Sequence, residues 1–430
     1  MPHTNGDGAH MTSHVKFAVA AFLCASALTL SACSGDASSG SGGSSQASSD
    51  EDALGTPNAA TGTPVTFGMV NLETNANVNF PELAQAAQAT IDYLNAYRGG
   101  LDGHPISLID CATDGQPATS AACADKIVAA DPVAVIGGAD TAAASALPIY
   151  ARANLAYIGG ANLTPVEASS DSSVIFNDMS QTDNSDLGTY ATEELGAKKV
   201  AIIVFDDSQA VYTVQSLIEP AIAAGGGEDQ VFTLSATQSD VSPTVASALA
   251  YNPDAIILEA PAACVTLLNS LKSLGNTKPV LSIDTCSAPS VLSATNGAAE
   301  GMYFIEPYQL YNGDTDDAAL ARAIIDTFGD PDMIIDTAAL QAMNTIMNLW
   351  TEFHDTPIDQ LTSANILQVL KSGSDHTNFL ADPYTCDGTA VPSLPSICNA
   401  NMYVNQIKDG QPTVVASGYN AGALIGSSAP

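Results

Sequence analysis

Three consecutive segments decide the fold class: Val65-Thr66-Phe67-Gly68-Met69-Val70, then residues 81–97, then Ile106-Ser107-Leu108-Ile109. The first is a short apolar run of the kind that fills a buried strand. In the second, Leu83, Ala87, Ile91 and Leu94 share one face at 3.6 periodicity. Pro81 stands at its first turn and Gly99-Gly100 at its end, so the segment predicts a helix. The third is a strand again. Strands spaced by helices lie parallel in a sheet that helices cover on both faces.

Outward from this unit the alternation continues. A helix is predicted over 120–130 and a buried strand over 133–136, followed by strands at 155–158, 174–176, 200–205, 255–258, 280–283 and 302–305. One break interrupts the series. Phe176-Asn177-Asp178-Met179-Ser180-Gln181-Thr182-Asp183 is polar and lies between two strand–helix series, so it reads as a connection between two α/β lobes. The second series opens around Lys198-Lys199-Val200-Ala201-Ile202-Ile203. No repeat of 20 to 50 residues is visible, which excludes a solenoid.

The N-terminal region reads as a targeting segment. Lys16 and the apolar run 17–30 are a signal-peptide pattern, too short for a permanent span, which needs about 20 residues. The start is Met1 or Met11, and nothing before Met11 has signal character. The junction Leu30-Ser31-Ala32-Cys33 resembles the lipobox of bacterial lipoproteins, which implies residues 1–32 as signal peptide and Cys33 as the lipidated residue. An ordinary secretory signal cleaved nearby leaves the same expectation of export. Residues 33–62 are Ser, Gly, Ala, Thr and Asp with almost nothing apolar, a tether that holds a domain off a membrane. The remaining 370 or so residues suffice for two packed cores.

Charge narrows the partners. The formal net charge is −35, with 11 basic residues in the whole chain. Such a chain is repelled by phosphate backbones, so nucleic acid is excluded as a partner, and a monomer is expected. A ligand carboxylate would find few Lys or Arg and would depend on backbone N–H groups and hydroxyls, whereas an ammonium would find carboxylates readily. After Cys24 and Cys33, six cysteines remain: Cys111, Cys123, Cys264, Cys286, Cys386 and Cys398. An even number outside the cytosol predicts disulfides. Pairing of sequence neighbours is the natural choice among about 15 connectivities. No C-x-x-C occurs and no His stands at ligand spacing, so neither a metal nor a cofactor is expected.

Five further phrases carry a resemblance. Gly99-Gly100-Leu101-Asp102-Gly103-His104-Pro105-Ile106 is similar to a Gly-Gly-x-x-Gly-x-Pro-Ile turn. Val135-Ile136-Gly137-Gly138, Leu195-Gly196-Ala197-Lys198-Lys199-Val200-Ala201-Ile202-Ile203, Asn252-Pro253-Asp254-Ala255-Ile256 and Ala298-Ala299-Glu300-Gly301-Met302-Tyr303 follow in the matching order. Together they resemble the type I periplasmic-binding proteins, the leucine/isoleucine/valine-binding branch that serves ABC transporters, from Pro64 to about Val415. The resemblance implies an α/β fold of two lobes, each a parallel β-sheet flanked by helices, joined by three crossovers and closing on ligand. It places the first lobe at 64–180 with 303–398 and the second at 181–302 with 399–430.

The same resemblance points to site residues. Ligands of open parallel sheets sit beyond the carboxyl ends of strands. At the first such end, Gly137-Gly138-Ala139-Asp140-Thr141, the family binds a ligand carboxylate through backbone N–H and a hydroxyl, which Thr141 matches. Asp140 departs from the pattern, because a carboxylate there disfavours an anion, and either residue also serves as a helix cap. At the second, Gly159-Gly160-Ala161-Asn162-Leu163-Thr164-Pro165, the candidates are Asn162 and Thr164, with Asn162 bulkier than the family's small residue. In the second lobe Asp284 or Glu259 would hold a ligand ammonium. Tyr212 would stack on the ligand from the loop after the second lobe's first strand.

Enzyme signatures are missing: no H-E-x-x-H, G-x-S-x-G, Walker A or dinucleotide fingerprint occurs. Asp314-Thr315-Asp316-Asp317 lacks the Gly and closing Glu of a calcium loop and reads as a helix start. Met343, Ile346, Met347, Trp350 and Phe353 form a helical stripe expected in the core. The expectation is therefore a lipid-anchored extracytoplasmic protein, not an enzyme, that delivers a small polar, amino-acid-like ligand to an ABC permease. Presentation of ligand to a membrane receptor, or a non-amino-acid solute such as an amide or urea-like compound, is the alternative.

Overall fold

The computed structural model describes residues 52–75, 78–235 and 237–426. The proposed signal segment and Cys33 lie outside the described residues. The first sheet contains β1 (Val65–Leu72), β2 (Ile106–Thr113), β3 (Ala134–Gly137), β4 (Tyr157–Gly159) and β5 (Ser173–Val174), all parallel, in the order β2-β1-β3-β4-β5. The second contains β6 (Lys199–Phe205), β7 (Glu228–Leu234), β8 (Ala255–Glu259), β9 (Val280–Ile283), β10 (Tyr303–Glu306), β11 (Met402–Lys408) and β12 (Gln411–Tyr419). Its order is β12-β11-β10-β9-β8-β6-β7, parallel from β7 to β10 and closed by an antiparallel hairpin. Asp409 and Gly410 both have positive φ, at 52° and 75°, as the two-residue hairpin turn between β11 and β12 requires.

Each sheet is covered on both faces. On one side of the first, Phe67, Met69 and Ile136 pack with Leu83, Ile91 and Leu94 of the helix Pro81–Tyr97 and with Met343, Ile346 and Phe353 of the helix Thr337–Phe353. On the other, Val70 and Val135 meet Ile127 and Leu147. The alternation along β6 divides the second sheet in the same way, with Ile203 in one cluster and Val200, Ile202 and Val204 in the other. The predicted helical stripe is core for Met343, Ile346, Met347 and Phe353. Trp350 sits at the core's edge, where its indole Nε1 donates to the carbonyl of Gly100 at 3.0 Å.

The chain changes sheet three times. It leaves the first after β5, where Ile175 bridges Ile397. It returns after β10, when the helices Asp316–Phe328 and Thr337–Phe353 pack on Pro81–Tyr97. It crosses again between Cys398 and β11. This is the α/β fold of two sheets joined by three crossovers that the resemblance implied.

Three details differ from the sequence reading. β7 was not anticipated: its first residues, Glu228 and Asp229, are acidic, and a charged start masks an edge strand. The helix predicted from residue 120 begins at Pro117, where proline's missing N–H costs nothing. The far end of the expected tether is packed. Leu54 is 4% exposed in the first sheet's core, Asn58 donates its N–H to Ala96, and Ala60 to Asn95. Leu54 is the large apolar residue of that stretch, and its burial holds the segment down. The cysteines pair as sequence neighbours, Cys111–Cys123, Cys264–Cys286 and Cys386–Cys398.

Candidate functional site

The carboxyl ends of β8, β9 and β10 carry the densest chemistry. These strands are neighbours, and they read Ala-Ile-Ile-Leu-Glu259, Val-Leu-Ser-Ile-Asp284 and Tyr-Phe-Ile-Glu306. The apolar residues hold each strand in the sheet, and the acid stands where the strand leaves it. Leu258 is in register with Ser282, and Ile283 with Ile305, so the three carboxylates reach the same rim. Glu259 is 8% exposed and Glu306 7%. Asp284 keeps part of its surface open while its carboxyl group is enclosed.

Two other elements close on this rim. The helix Thr182–Thr189, which follows the first crossover, brings Asp183 within electrostatic reach of Glu259 and Asp284. The helix Thr337–Phe353, packed on the first sheet's side, donates the Thr337 hydroxyl to Asp284 Oδ2, and Asp336 caps its start by accepting from the N–H of Ala339 at 3.1 Å. Burial pushes Glu259 up to about 8, with Asp284 adding to the effect. It raises Asp183 well above the usual carboxylate range, with Asp178 and Glu259 contributing, and Glu306 likewise, with Asp284 contributing. Asp284 is raised by burial against the lowering effect of the Thr337 hydroxyl, and Asp336 is raised by burial with Asp284 adding to it. Taking carboxylates out of water costs free energy that proximity to other carboxylates increases.

One face of the helix Thr337–Phe353 runs from this rim to the first sheet. Thr337, Gln341 and Thr345 recur at four-residue spacing. Thr337 touches Asp284, and Thr345 lies against Gly159 at the end of β4, where an added Cβ would collide with it and φ is +72°. Only glycine serves there. Gln341 lies between the two, 2% exposed, with its Nε2 donating to Thr345 Oγ1 at 3.0 Å. Among the described residues its Oε1 accepts no hydrogen bond, and neither do Glu259 Oε2 and Asn184 Oδ1, all buried.

The first-sheet candidates have partners within the protein. Asp140 is 3% exposed; it accepts from Ser120 Oγ at 2.6 Å and from the N–H of Ala142 at 2.9 Å, at the start of the helix Ala143–Arg152. Thr141 is exposed, and its hydroxyl donates to the Gly115 carbonyl at 3.4 Å. Asn162, fully buried at φ +36°, donates to Asp178 Oδ1 at 2.7 Å and accepts from the N–H of Met179 at 3.1 Å. It thus ties the end of β4 to the first crossover. Thr164 precedes the helical turn Pro165–Ala168 and donates through N–H and Oγ1 to Glu167 Oε2, each at 3.0 Å. Tyr212 lies on the helix Ser208–Thr213 and is 55% exposed.

The structure therefore groups Glu259 and Asp284, and adds Asp183, Glu306, Thr337 and Gln341. The strand-then-acid pattern that marked Glu259 and Asp284 also marks Glu306. Asp183 stands in the polar crossing, but its neighbours in space are not its neighbours in sequence. Nothing in the local pattern distinguishes Gln341. A concavity of about 410 Å³, lined by Leu268, Lys272, Lys278, Met302 and Tyr303, opens near the opposite, amino ends of β9 and β10 and belongs to a different face. Among the described residues no group of three or more His, Cys, Asp or Glu is arranged to hold a metal ion, and no helix is long and apolar enough to cross a membrane.

Comparison with known proteins extends this picture. Comparison with curated proteins finds no match. Among solved structures, the fatty acid ABC transporter substrate-binding protein of Thermomonospora curvata is similar at TM-score 0.68 and 15% identity, over 86% of this chain and 95% of that one. The leucine-binding protein of Thermotoga maritima is similar at 0.64 and 15%, over 82% and 98%. The branched-chain amino acid transporter substrate-binding protein of Streptococcus pneumoniae, solved with isoleucine, is similar at 0.63 and 17%, over 83% and 99%. At these identities the likeness is one of fold. A family model described as periplasmic binding protein matches residues 64–422, and the chain belongs to the periplasmic binding protein family.

Proposed function

We propose that this chain is an extracytoplasmic solute-binding protein, lipid-anchored through Cys33, that captures a small polar solute, an amino acid or a related compound, between two lobes and hands it to an ABC permease. The lobes are residues 64–180 with 303–398, and 181–302 with 399–430. The observation that carries the reading is the meeting of Glu259, Asp284 and Glu306, at the ends of three adjacent strands of one sheet, with Thr337 on a helix packed against the other. A site shared by two sheets is one that hinge closure completes. The ligand-contact set includes Glu259 and Asp284 on the second sheet's rim, Asp140, Thr141, Asn162 and Thr164 on the first sheet's rim, and Tyr212 beside β6. The leucine, isoleucine and fatty acid proteins of this fold support a solute carrier and leave the solute's chemistry to the residues of this cleft.

A thermal-shift screen of residues 52–430 against amino acids, amines, amides and small organic acids tests the reading. A solute at 100 times its dissociation constant adds about 2.7 kcal/mol of stability. A concentration-dependent rise in melting temperature with one solute class supports it, and no response to any class refutes it.

A further inference from the structure

We propose that the cleft selects an organic cation that lacks a carboxylate, a primary amine or guanidinium whose positive end seats between Glu259 and Asp284, with the amide oxygen of Gln341 as a further acceptor. This inference rests on the binding reading above and specifies its ligand. Its first ground is the inventory of unmet hydrogen-bonding groups. Among the described residues, Glu259 Oε2, Gln341 Oε1 and Asn184 Oδ1 are buried without partners, and each can accept a hydrogen bond. Gln341 and Asn184 are neutral side chains on two separate helices, so their orphaned oxygens are observations independent of the carboxylates. A buried acceptor without a donor is costly, and a group rich in N–H donors seated at Glu259 relieves that cost there.

Its second ground is charge. Asp183, Glu259, Asp284 and Glu306 form no ion pair with Lys, Arg or His, and the carboxyl group of Glu259 makes no hydrogen bond at all among the described residues. The polar contacts the others do make come from Thr337, from the N–H and amide of Asn184, from Thr285 and from Asn405. Facing acids, with Asp178 and Asp336 behind them, oppose one another's ionisation, a cost that enclosure increases. A cation is the ligand that offsets it.

Its third ground is the first sheet's rim. A zwitterionic amino acid needs a second, anion-holding corner. The helix start that faces solvent after β3 already holds the protein's own Asp140, buried and bonded to Ser120 and to the N–H of Ala142. A ligand carboxylate placed there meets a carboxylate, and among the described residues no Lys or Arg makes an ion pair with Asp140 to relieve it.

Matched probes separate the ligand classes. Isoamylamine, leucine and isovalerate share an isobutyl group and carry an amine, both an amine and a carboxylate, and a carboxylate respectively; agmatine and arginine make a second pair. Binding of each is measured by titration calorimetry to wild type, Glu259→Gln and Gln341→Leu. Expected are isoamylamine or agmatine binding at least tenfold more tightly than leucine or arginine, no response to isovalerate, and a loss of at least tenfold in the amine's affinity for Glu259→Gln. The Gln341→Leu variant, which leaves the fold's charges untouched, is expected to weaken amine binding several-fold. Leucine outbinding isoamylamine, or equal affinity of wild type and Glu259→Gln for the amine, overturns the proposal and leaves the binding reading standing. Binding confined to neutral or anionic solutes does the same. No binding of any solute class overturns both.

Discussion

Replacing Glu259 with glutamine should make the ligand-free protein more stable, and by an amount that depends on pH. The substitution keeps the shape of a protonated glutamic acid and removes its ability to ionise. In the folded protein the carboxyl group is pushed from 4.5 up to about 8, chiefly by burial and then by Asp284. A folded-state value above the unfolded one means that stability is fully present below pH 4.5 and is lost as pH rises toward 8. At pH 7 the loss is the span from 4.5 to 7, and at about 1.36 kcal/mol per unit it comes to about 3 kcal/mol. At pH 4 it is close to zero, and above pH 8 it levels off at about 5 kcal/mol. Asp183, Asp284, Glu306 and Asp336 remain in both proteins, so most of their own titration cancels in the difference. With about 2.1 cal/mol/K of unfolding entropy per residue over some 370 residues, 3 kcal/mol corresponds to about 4 °C in melting temperature. Scanning calorimetry of both proteins at pH 4, 7 and 9 without ligand measures it. An equal melting temperature at every pH, or a variant less stable at pH 9 than at pH 4 relative to wild type, refutes the buried-carboxylate reasoning.

Further perturbations test other parts of the account. Asp178 accepts from Asn162 and from the N–H groups of Ser180, Gln181 and Thr182, so Asp178→Ala should cost about 2–4 kcal/mol, read from urea midpoints, because it strips the first crossover of its cap and orphans Asn162. Leu54→Ala should destabilise by about 2–4 kcal/mol, whereas a free tether residue would give no change in melting temperature. The three disulfides span separations of 12, 22 and 12 residues, and reducing them should lower stability by roughly 3 kcal/mol each on loop-entropy grounds, seen as a fall in melting temperature with dithiothreitol. Thr345→Val, which keeps the contact with Gly159 and removes the hydroxyl that receives the Gln341 amide, should cost about 1–3 kcal/mol of stability and weaken ligand binding; unchanged ligand affinity would place Gln341 in the core rather than at the cleft.

Much of the architecture was legible because it rests on local periodicity. Residues 65–70, 81–97 and 106–109 announce strand, helix and strand, and each element forms within a residue or two of its expected bounds except where a strand runs further. β7 escaped notice because edge strands carry charge to discourage pairing, which erases the apolar signal a buried strand gives. Of the candidate site, Glu259 and Asp284 could be named through the family resemblance, which puts an acid after a second-lobe strand. Asp183, Thr337 and Gln341 could not, since their relevance depends on two crossovers bringing separate helices to the same rim. Asn162 shows another limit. Its loop position suggests a ligand contact, and the structure adds hydrogen bonds of its amide with Asp178 and Met179, an arrangement visible only in three dimensions.

The central claim is that a solute is captured where the ends of β8, β9 and β10 meet the helix bearing Thr337. The most direct measurement is calorimetric titration of the solute that gives the largest thermal shift into wild type and into the Glu259→Ala/Asp284→Ala double variant. The account predicts saturable binding with a stoichiometry of one for wild type and no measurable binding for the variant, which remains folded. Undiminished binding by the double variant, or no saturable binding of any solute to wild type, contradicts it.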